Sequence, residues 1–118
     1  MVHATDPRQG LRLSLDATFA ALADPTRRGV VELLREQPCR ASDLADRLGA
    51  SKPAMSKHLR VLRASGLVEA ASEDDARERI YRLRPDPFRQ LHKWLERVEQ
   101  FWLIQLDAFK QHVERGKR

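Results

Sequence analysis

The sequence has a single cysteine, few aromatic side chains and no long apolar stretch. The one thiol, Cys39, excludes a disulfide within the chain and a structural zinc site built from cysteines. No apolar run approaches the roughly 18 residues that a membrane-spanning helix needs. The first residues show no basic segment followed by an apolar one, so we expect no secretory signal. These absences predict a cytoplasmic protein with no membrane partner and no bound cofactor.

Basic residues are in excess and unevenly distributed. The 118 residues include 22 Lys and Arg against 17 Asp and Glu, for a formal net charge of +5. Residues 25–68 alone carry a net charge of +5 and residues 77–84 a net charge of +3, and an acidic segment separates them. Both blocks have the charge of a surface that binds a polyanion, although solvated helix faces are an alternative explanation.

Apolar periodicity predicts one mainly α-helical domain with a small β-hairpin, an α+β fold. The domain is expected to span residues 13–115, after a flexible N-terminal arm at 1–12. A period of two over residues 67–71 and 79–83 predicts the hairpin, which spans 67–84 with its polar turn. Helical spacing is found in five segments, at 13–23, 25–36, 42–48, 52–64 and 88–114.

Residues 42–65 have the pattern of a helix-turn-helix: a short helix, a turn containing Gly49, and a longer helix. On the longer helix, Met55, Leu59 and Leu62 share one face, which we expect to be buried. The opposite face carries short polar groups and cations, namely Pro53, Ser56, Lys57 and Arg60, with Lys52 near the start.

The longer helix has no acidic residue between Ser51 and Gly66. A solvated helix usually mixes acidic and basic side chains, which form ion pairs one turn apart. A helix that enters the major groove of DNA excludes carboxylates, because phosphates lie on both sides of it. Small side chains such as Ala54 and Ser56 let the backbone approach the base edges, and Lys57 can reach base or phosphate acceptors.

A family resemblance rests on three stretches of the sequence. These are ALADPTRRGVVELL at 21–34, SKPAMSKHLRVLRASGLV at 51–68 and RERIYRLRPDPFRQLHKWLERVEQFW at 77–102. In them the chain resembles the ArsR/SmtB family of bacterial winged helix-turn-helix repressors, and the resemblance extends over roughly residues 15–110. The second stretch is the most specific, since its opening is similar to the family's recognition helix almost residue for residue.

The resemblance implies which side chains contact operator DNA. Lys52, Pro53, Ser56 and Lys57 would face the groove, and the hairpin would be the wing of the fold. We expect wing residues Arg77 and Arg79 to contact a minor groove or its phosphates. The acidic turn before them either pairs with them in the absence of DNA or keeps the tip of the wing away from phosphates. Arg27 and Arg28, at the start of the second helix, are further predicted phosphate contacts. Ordinary surface charge is the alternative for these four arginines.

The last predicted helix has an apolar stripe wider than one side of a small domain can cover. The two Trp and two Phe of this stripe favour a subunit interface, with an aromatic cofactor box as the alternative. The resemblance implies a homodimer built from the first and last helices, in which Phe19 belongs to the first. The stripe consists of Leu91, Trp94, Leu95, Val98, Phe101, Trp102, Leu106 and Phe109.

The sequence departs from the metal-binding members of the family. It lacks their Cys-x-Cys pair, and His92 and His112 are about 30 Å apart along one helix, so one chain cannot bring both to one ion. We therefore expect the metal-independent branch with no metal site, and a site shared between two subunits is the alternative. Cys39 is either a thiol sensor or a structural cysteine, and the effector stays unknown.

These features together predict a sequence-specific DNA-binding transcriptional regulator, a repressor that binds an inverted-repeat operator as a homodimer. An enzyme is not expected, because no nucleophile–base pair, Gly-rich phosphate loop or metal triad can be assembled from these residues. A winged helix that binds another protein instead of DNA is the alternative. Activation instead of repression is also left open, because DNA binding alone does not fix the sign of the effect on transcription.

Overall fold

The computed structural model describes the backbone of residues 7–71 and 79–116, with side chains from Leu15 onward. Within these residues the chain forms five helices and three short strands, which confirms the predicted α+β class. The elements are α1 Pro7–Leu22, α2 Pro25–Glu36, β1 Cys39–Arg40, α3 Ala41–Leu48, α4 Lys52–Ala64, β2 Val68–Ala70, β3 Ile80–Leu83 and α5 Pro85–Gly116.

The sheet has one strand more than the predicted hairpin. The two hairpin strands pair antiparallel as expected, with Val68 opposite Leu83. β1 pairs with the other edge of β3, with Cys39 opposite Tyr81, so the strand order is β1-β3-β2. A strand of two residues is too short to show an alternating pattern, and only its long-range pairing with β3 defines it.

Two helices are longer than predicted. α1 begins at Pro7 instead of Leu13, so residues 7–12 of the expected N-terminal arm are helical. α5 begins at Pro85 instead of Phe88 and extends to Gly116. Proline is tolerated in the first turn of a helix, because the N–H that it lacks would have no partner there. Pro85 and Pro87 therefore lie inside the first turn of α5, although the sequence pattern places residues 85–87 between the hairpin and the helix.

Two caps define the turn of the helix-turn-helix, between the end of α3 and the start of α4. The Ser51 hydroxyl, at the N-cap of α4, accepts a hydrogen bond from the backbone N–H of Ala54 at 3.2 Å. Gly49 ends α3 with φ +64°, a left-handed conformation that glycine adopts without the strain that a side chain would bring. Both caps act within a few residues of their own position, so the turn between α3 and α4 is set by local chemistry.

The core lies between the helix-turn-helix, α2 and the sheet. Met55, Leu59 and Leu62 are each at most 2% exposed, as the helical periodicity predicts. Gly29 of α2 faces Leu48 of α3, and a Cβ at this position would lie 2.8 Å from the Leu48 Cδ2 atom. The glycine therefore permits the close approach of α2 and α3, which holds the helix-turn-helix against the rest of the domain.

The last helix projects from this core. None of the 32 residues of α5 is buried, and a helix of that length spans about 48 Å. Its N-terminal half packs on α1, where the rings of Phe19 and Trp94 meet edge to face with centroids 5.3 Å apart. Among the described residues, no helix is both long and apolar enough to cross a membrane.

Candidate nucleic-acid interface

The solvent-facing side of α4 presents the cations predicted from the sequence. Lys52, Pro53, Ser56, Lys57 and Arg60 are all exposed, and none of the three cations forms an ion pair with a described residue. Ala54 is half-buried at the start of the same helix. The buried side of α4 holds it against the core, so this face is rigidly presented to solvent. We call it the α4 face.

Two arginines at the start of α2 bond to the end of α1. The Arg27 side chain donates from Nε to the Ala21 carbonyl at 2.7 Å and from Nη2 to the Ala20 carbonyl at 3.1 Å. Arg28 donates from Nη1 to the Leu22 carbonyl at 2.8 Å. The last carbonyls of a helix have no partner within the helix, and these side chains supply donors.

These bonds change the role expected for Arg27. Its third guanidinium nitrogen, Nη1, lies 3.4 Å from His58 Nδ1. Each of the three nitrogens of this half-buried side chain therefore already has a contact within the protein. We therefore leave Arg27 out of the proposed DNA interface and assign it to joining α1, α2 and α4. Arg28 is exposed, and its phosphate contact stays a prediction.

Asp24 begins α2 and links it to α4. Its carboxylate accepts a hydrogen bond from the backbone N–H of Arg27 at 3.0 Å, and its Oδ2 lies 3.8 Å from His58 Nδ1. The backbone hydrogen bond is the main cause that lowers the pKa of Asp24 below 3.8, with smaller contributions from the charges of His58 and Arg27. A lowered carboxyl pKa stabilises the fold above the unfolded pKa, and this stabilisation is lost as the pH falls through the folded pKa.

We expect Asp24→Ala to lower the thermal stability at pH 7, because it removes the cap of α2 and the carboxylate that faces His58. The difference from wild type should shrink as the pH falls from 3.8, the unperturbed value, through the lower pKa of the folded Asp24 carboxyl group. Thermal unfolding followed by circular dichroism at neutral and acidic pH measures this. Asp24→Asn is the matched control, since Asn is an equally good N-cap and does not titrate. A wild-type to Ala difference that stays constant with pH would contradict the assigned role.

The wing brings one predicted arginine to the α4 face. Arg79, which precedes β3, lines a hollow together with Ser56 and Arg60 of α4. Arg77 and the acidic turn at 73–75 lie outside the described residues, and their predicted roles stay predictions. Arg63 lines the same hollow, and the sequence analysis missed it. Its spacing of three residues from Arg60 and seven from Ser56 was the available signal, since such residues share a helix face.

The predicted dimer residues fall into two groups. Leu91 and Trp94 are half-buried on the N-terminal part of α5, and Trp94 contacts Phe19, which is 42% exposed. Farther along α5, six members of the stripe are exposed to solvent although all are apolar: Leu95, Val98, Phe101, Trp102, Leu106 and Phe109. An apolar surface of this extent is typical of a protein–protein contact. We call these six residues the α5 face.

The predicted sensory residues are not assembled into a ligand site. Cys39 is 8% exposed, and its Sγ lies 3.4 Å from the carbonyl of Gln37. Within residues 7–71 and 79–116, no group of three or more His, Cys, Asp or Glu side chains is arranged to hold a metal ion. Thiol sensing by Cys39 stays a prediction, and the thiol that it would use is buried.

Comparison with known proteins places the chain in a family. The model for the bacterial regulatory proteins of the arsR family matches residues 24–70, which include α2 and the helix-turn-helix. The HTH-type transcriptional regulator Rv2034 of Mycobacterium tuberculosis is 37% identical over 101 residues, covering 86% of this chain and 90% of the relative. The chain belongs to the arsR family of bacterial regulatory proteins.

Solved structures agree with the fold of this ArsR regulator. An ArsR-like transcriptional regulator from Rhodococcus sp. RHA1 matches with a TM-score of 0.73 and 38% identity over 89% of this chain and 94% of that one. A homodimeric winged helix-turn-helix DNA-binding domain from Mycobacterium bovis matches with a TM-score of 0.64 and 24% identity, over 87% of this chain and 94% of that one. The predicted winged helix-turn-helix architecture and the predicted class, a transcriptional regulator and not an enzyme, are therefore confirmed.

Proposed function

We propose that this ArsR regulator is a homodimeric transcriptional repressor that binds operator DNA through the α4 face. The observation that carries the proposal is the exposed, acid-free side of α4, where Lys52, Lys57 and Arg60 have no carboxylate partner among the described residues. Such a face suits a major groove, because cations meet the flanking phosphates and small side chains let the helix approach the bases.

The α4 residues have different proposed roles. Lys57 and Ser56 lie in the middle of the exposed side, where they can reach base edges. Lys52 lies in the first turn, and the free N–H groups of that turn add to its attraction for phosphate. Arg60 lies one turn beyond Ser56, nearer the wing. Since several contacts are cationic, we expect the affinity for DNA to fall steeply with salt.

The α5 face supports a homodimer. Exposure of its aromatic and aliphatic side chains to water is unfavourable, and a second copy of α1 and α5 offers an equally apolar surface that would bury them. Two-fold symmetry would place two α4 helices in successive major grooves about one turn apart, so the operator would be an inverted repeat. A dimer bound over a promoter would exclude polymerase from it, which is why we propose repression. We expect the regulator to act in the cytoplasm.

Recovery of bound DNA from the whole genome, followed by footprinting with purified protein, tests the proposal. We expect a small set of protected sites with two-fold symmetric sequence, and increased transcription of the adjacent genes when the regulator is deleted. Binding without preference for any symmetric site, even at low salt, would contradict sequence-specific regulation. If transcription of the adjacent genes decreases on deletion, repression is contradicted, but operator binding is not.

Lys57→Ala should weaken binding to the recovered operator by about 1–3 kcal/mol, because a side chain that contacts a base or its phosphate is lost. The measurement is the dissociation constant by fluorescence anisotropy at fixed salt. Lys93→Ala is the matched control, since it removes the same charge from an exposed position on α5. We expect the control to bind as wild type. If both variants bind the operator with equal affinity, Lys57 does not contribute to operator contact.

A further inference from the structure

A cleft of about 660 Å³ lies between α2, the end of β3 and the first half of α5. Its floor is apolar: Val31, Leu83 and Phe88 are half-buried and pack against the core, and Pro85 adds a further apolar side chain. Small-molecule sites in proteins have volumes of about 300–1,000 Å³ and combine an apolar lining with a few polar groups. The cleft has the size and the lining of such a site. We call it the α2–α5 cleft.

The α2–α5 cleft is not covered in the proposed dimer. Phe88, His92 and Glu96 line it at steps of about one helical turn along α5. At 3.6 residues per turn, the α5 residues that line the cleft point about 130° away from the α5 face. A second subunit that covers the α5 face would therefore leave the cleft open to a separate molecule.

Charged side chains at the rim of the cleft contact one another along their own helices. On α2, Glu32 lies 3.7 Å from Arg35, and on α5 the Nε2 atom of His92 lies 2.8 Å from a carboxylate oxygen of Glu96. None of the described ion pairs joins α2 to α5 across the cleft. The cleft is therefore not closed by charge, and its apolar floor stays open to water.

These contacts favour an uncharged ligand. The other basic residues of the rim, Arg89 and Lys93, are exposed: Arg89 lies 3.5 Å from Asp86, and the ammonium group of Lys93 can remain in water. A charged ligand on the apolar floor would lose water without gaining a buried counterion, which costs free energy. An uncharged aromatic molecule avoids this cost and can pack against the ring of Phe88.

We propose that the α2–α5 cleft binds an uncharged, mainly apolar small molecule with an aromatic ring, and that this molecule is an effector of the regulator. The effector role rests on the proposed function. α2 packs on α3 through Gly29 and Leu48, and α5 contains the proposed dimer face, so a ligand in the cleft contacts both helices. A change in their spacing would change the distance between the two α4 helices of the dimer, and with it the affinity for the operator.

Titration with N-phenyl-1-naphthylamine tests the site, because this uncharged aromatic compound becomes more fluorescent when it leaves water. We expect a saturable rise in fluorescence with the wild-type protein. Val31→Phe should weaken binding by about tenfold or more, since the larger side chain fills the floor of the cleft. Ile104→Ala is the matched control: it removes an exposed apolar side chain of α5 outside the cleft and should bind as wild type. Equal affinities for wild type and Val31→Phe, at equal melting temperatures, would overturn the site.

A second measurement uses the wild-type protein alone, so it does not depend on the folding of Val31→Phe. In two-dimensional NMR spectra, N-phenyl-1-naphthylamine should shift the amide signals of residues 31–35 and 83–93, which include the cleft residues. Shifts confined to other parts of the chain would overturn the site, because the compound would then lie on another apolar surface.

The charge of the ligand is tested with 8-anilinonaphthalene-1-sulfonate, which has the same aromatic body and one negative charge. We expect it to bind the cleft about tenfold more weakly or less tightly still, since the cleft provides no buried counterion. Tighter binding than that of the uncharged compound, lost in Val31→Phe, would overturn the uncharged class in favour of an organic anion.

The effector role is tested by measuring affinity for the recovered operator with and without saturating N-phenyl-1-naphthylamine. We expect a change of about fivefold or more in the wild type and none in Val31→Phe, and operator should change the affinity for the compound by the same factor. An unchanged operator affinity would overturn the effector role and leave the binding site. A protein that binds no operator would contradict the proposed function and the effector role with it, whereas the titration and the NMR spectra would still decide whether the cleft binds the compound.

Discussion

Trp102→Ala is expected to raise the dimer dissociation constant at least about 30-fold, corresponding to 2 kcal/mol or more. Trp102 is 60% exposed in the single chain, on the α5 face between Phe101 and Leu106. Large aromatic side chains contribute most to protein interfaces, because each removes much apolar area from water. In a two-fold symmetric dimer the substitution occurs twice, so its effect on association is doubled.

Sedimentation velocity over a series of protein concentrations measures this change. Lys110→Ala is the matched control, because it truncates another exposed side chain of the same helix without removing apolar surface from the α5 face. We expect the control to remain a dimer at concentrations where Trp102→Ala is monomeric. If Trp102→Ala also remains a dimer throughout, the subunit interface lies on another surface. Operator binding should weaken with dimer loss, since a monomer contacts one half-site only.

Leu62→Ala is expected to destabilise the fold by about 2–5 kcal/mol, a large part of the 5–15 kcal/mol that is usual for a domain. Leu62 is fully buried on the core side of α4, beside Leu59 and next to the end of the helix. Truncation removes buried apolar contacts and leaves a cavity that the closely packed neighbours fill only in part. Because Leu62 holds α4 in place, DNA binding should be lost at lower denaturant concentration than in the wild type.

Urea unfolding followed by circular dichroism measures this loss, at one fixed protein concentration because the proposed dimerisation would make the stability depend on concentration. The adjacent Val61→Ala variant is the matched control: Val61 is 40% exposed, and alanine has the higher helix propensity. We expect its midpoint to equal or exceed that of the wild type. A Leu62→Ala midpoint within error of wild type would show that α4 is not held by this core.

The buried and exposed sides of α4 could be predicted because helical periodicity assigns them from neighbouring residues alone. Met55, Leu59 and Leu62 are buried, and Lys57 and Arg60 are exposed, as that periodicity requires. The caps at Ser51 and Gly49 were also predictable, since each acts within a few residues of its own position. Local interactions of this kind leave a clear trace in the sequence.

Contacts between segments that are far apart in the sequence could not be predicted in this way. Arg27 has the sequence features of a phosphate ligand, yet its guanidinium binds the end of α1 and approaches His58 of α4. The role of Gly29 likewise depends on Leu48, which lies on another helix. Neither partner can be identified from spacing along the chain, because the chain folds back between them.

The sequence by itself predicted the helices, the hairpin, the basic face of α4 and the apolar face of the last helix, because periodicity, capping and charge are properties of neighbouring positions. The winged helix-turn-helix regulator followed from the family resemblance that the same residues carry. Folding in three dimensions added the third strand, bonded the Arg27 side chain to the end of α1 and gathered Arg60, Arg63 and Arg79 around one hollow. Those features arise from side chains far apart in the chain, whose distances are set by the packing of α4 against the core and the wing.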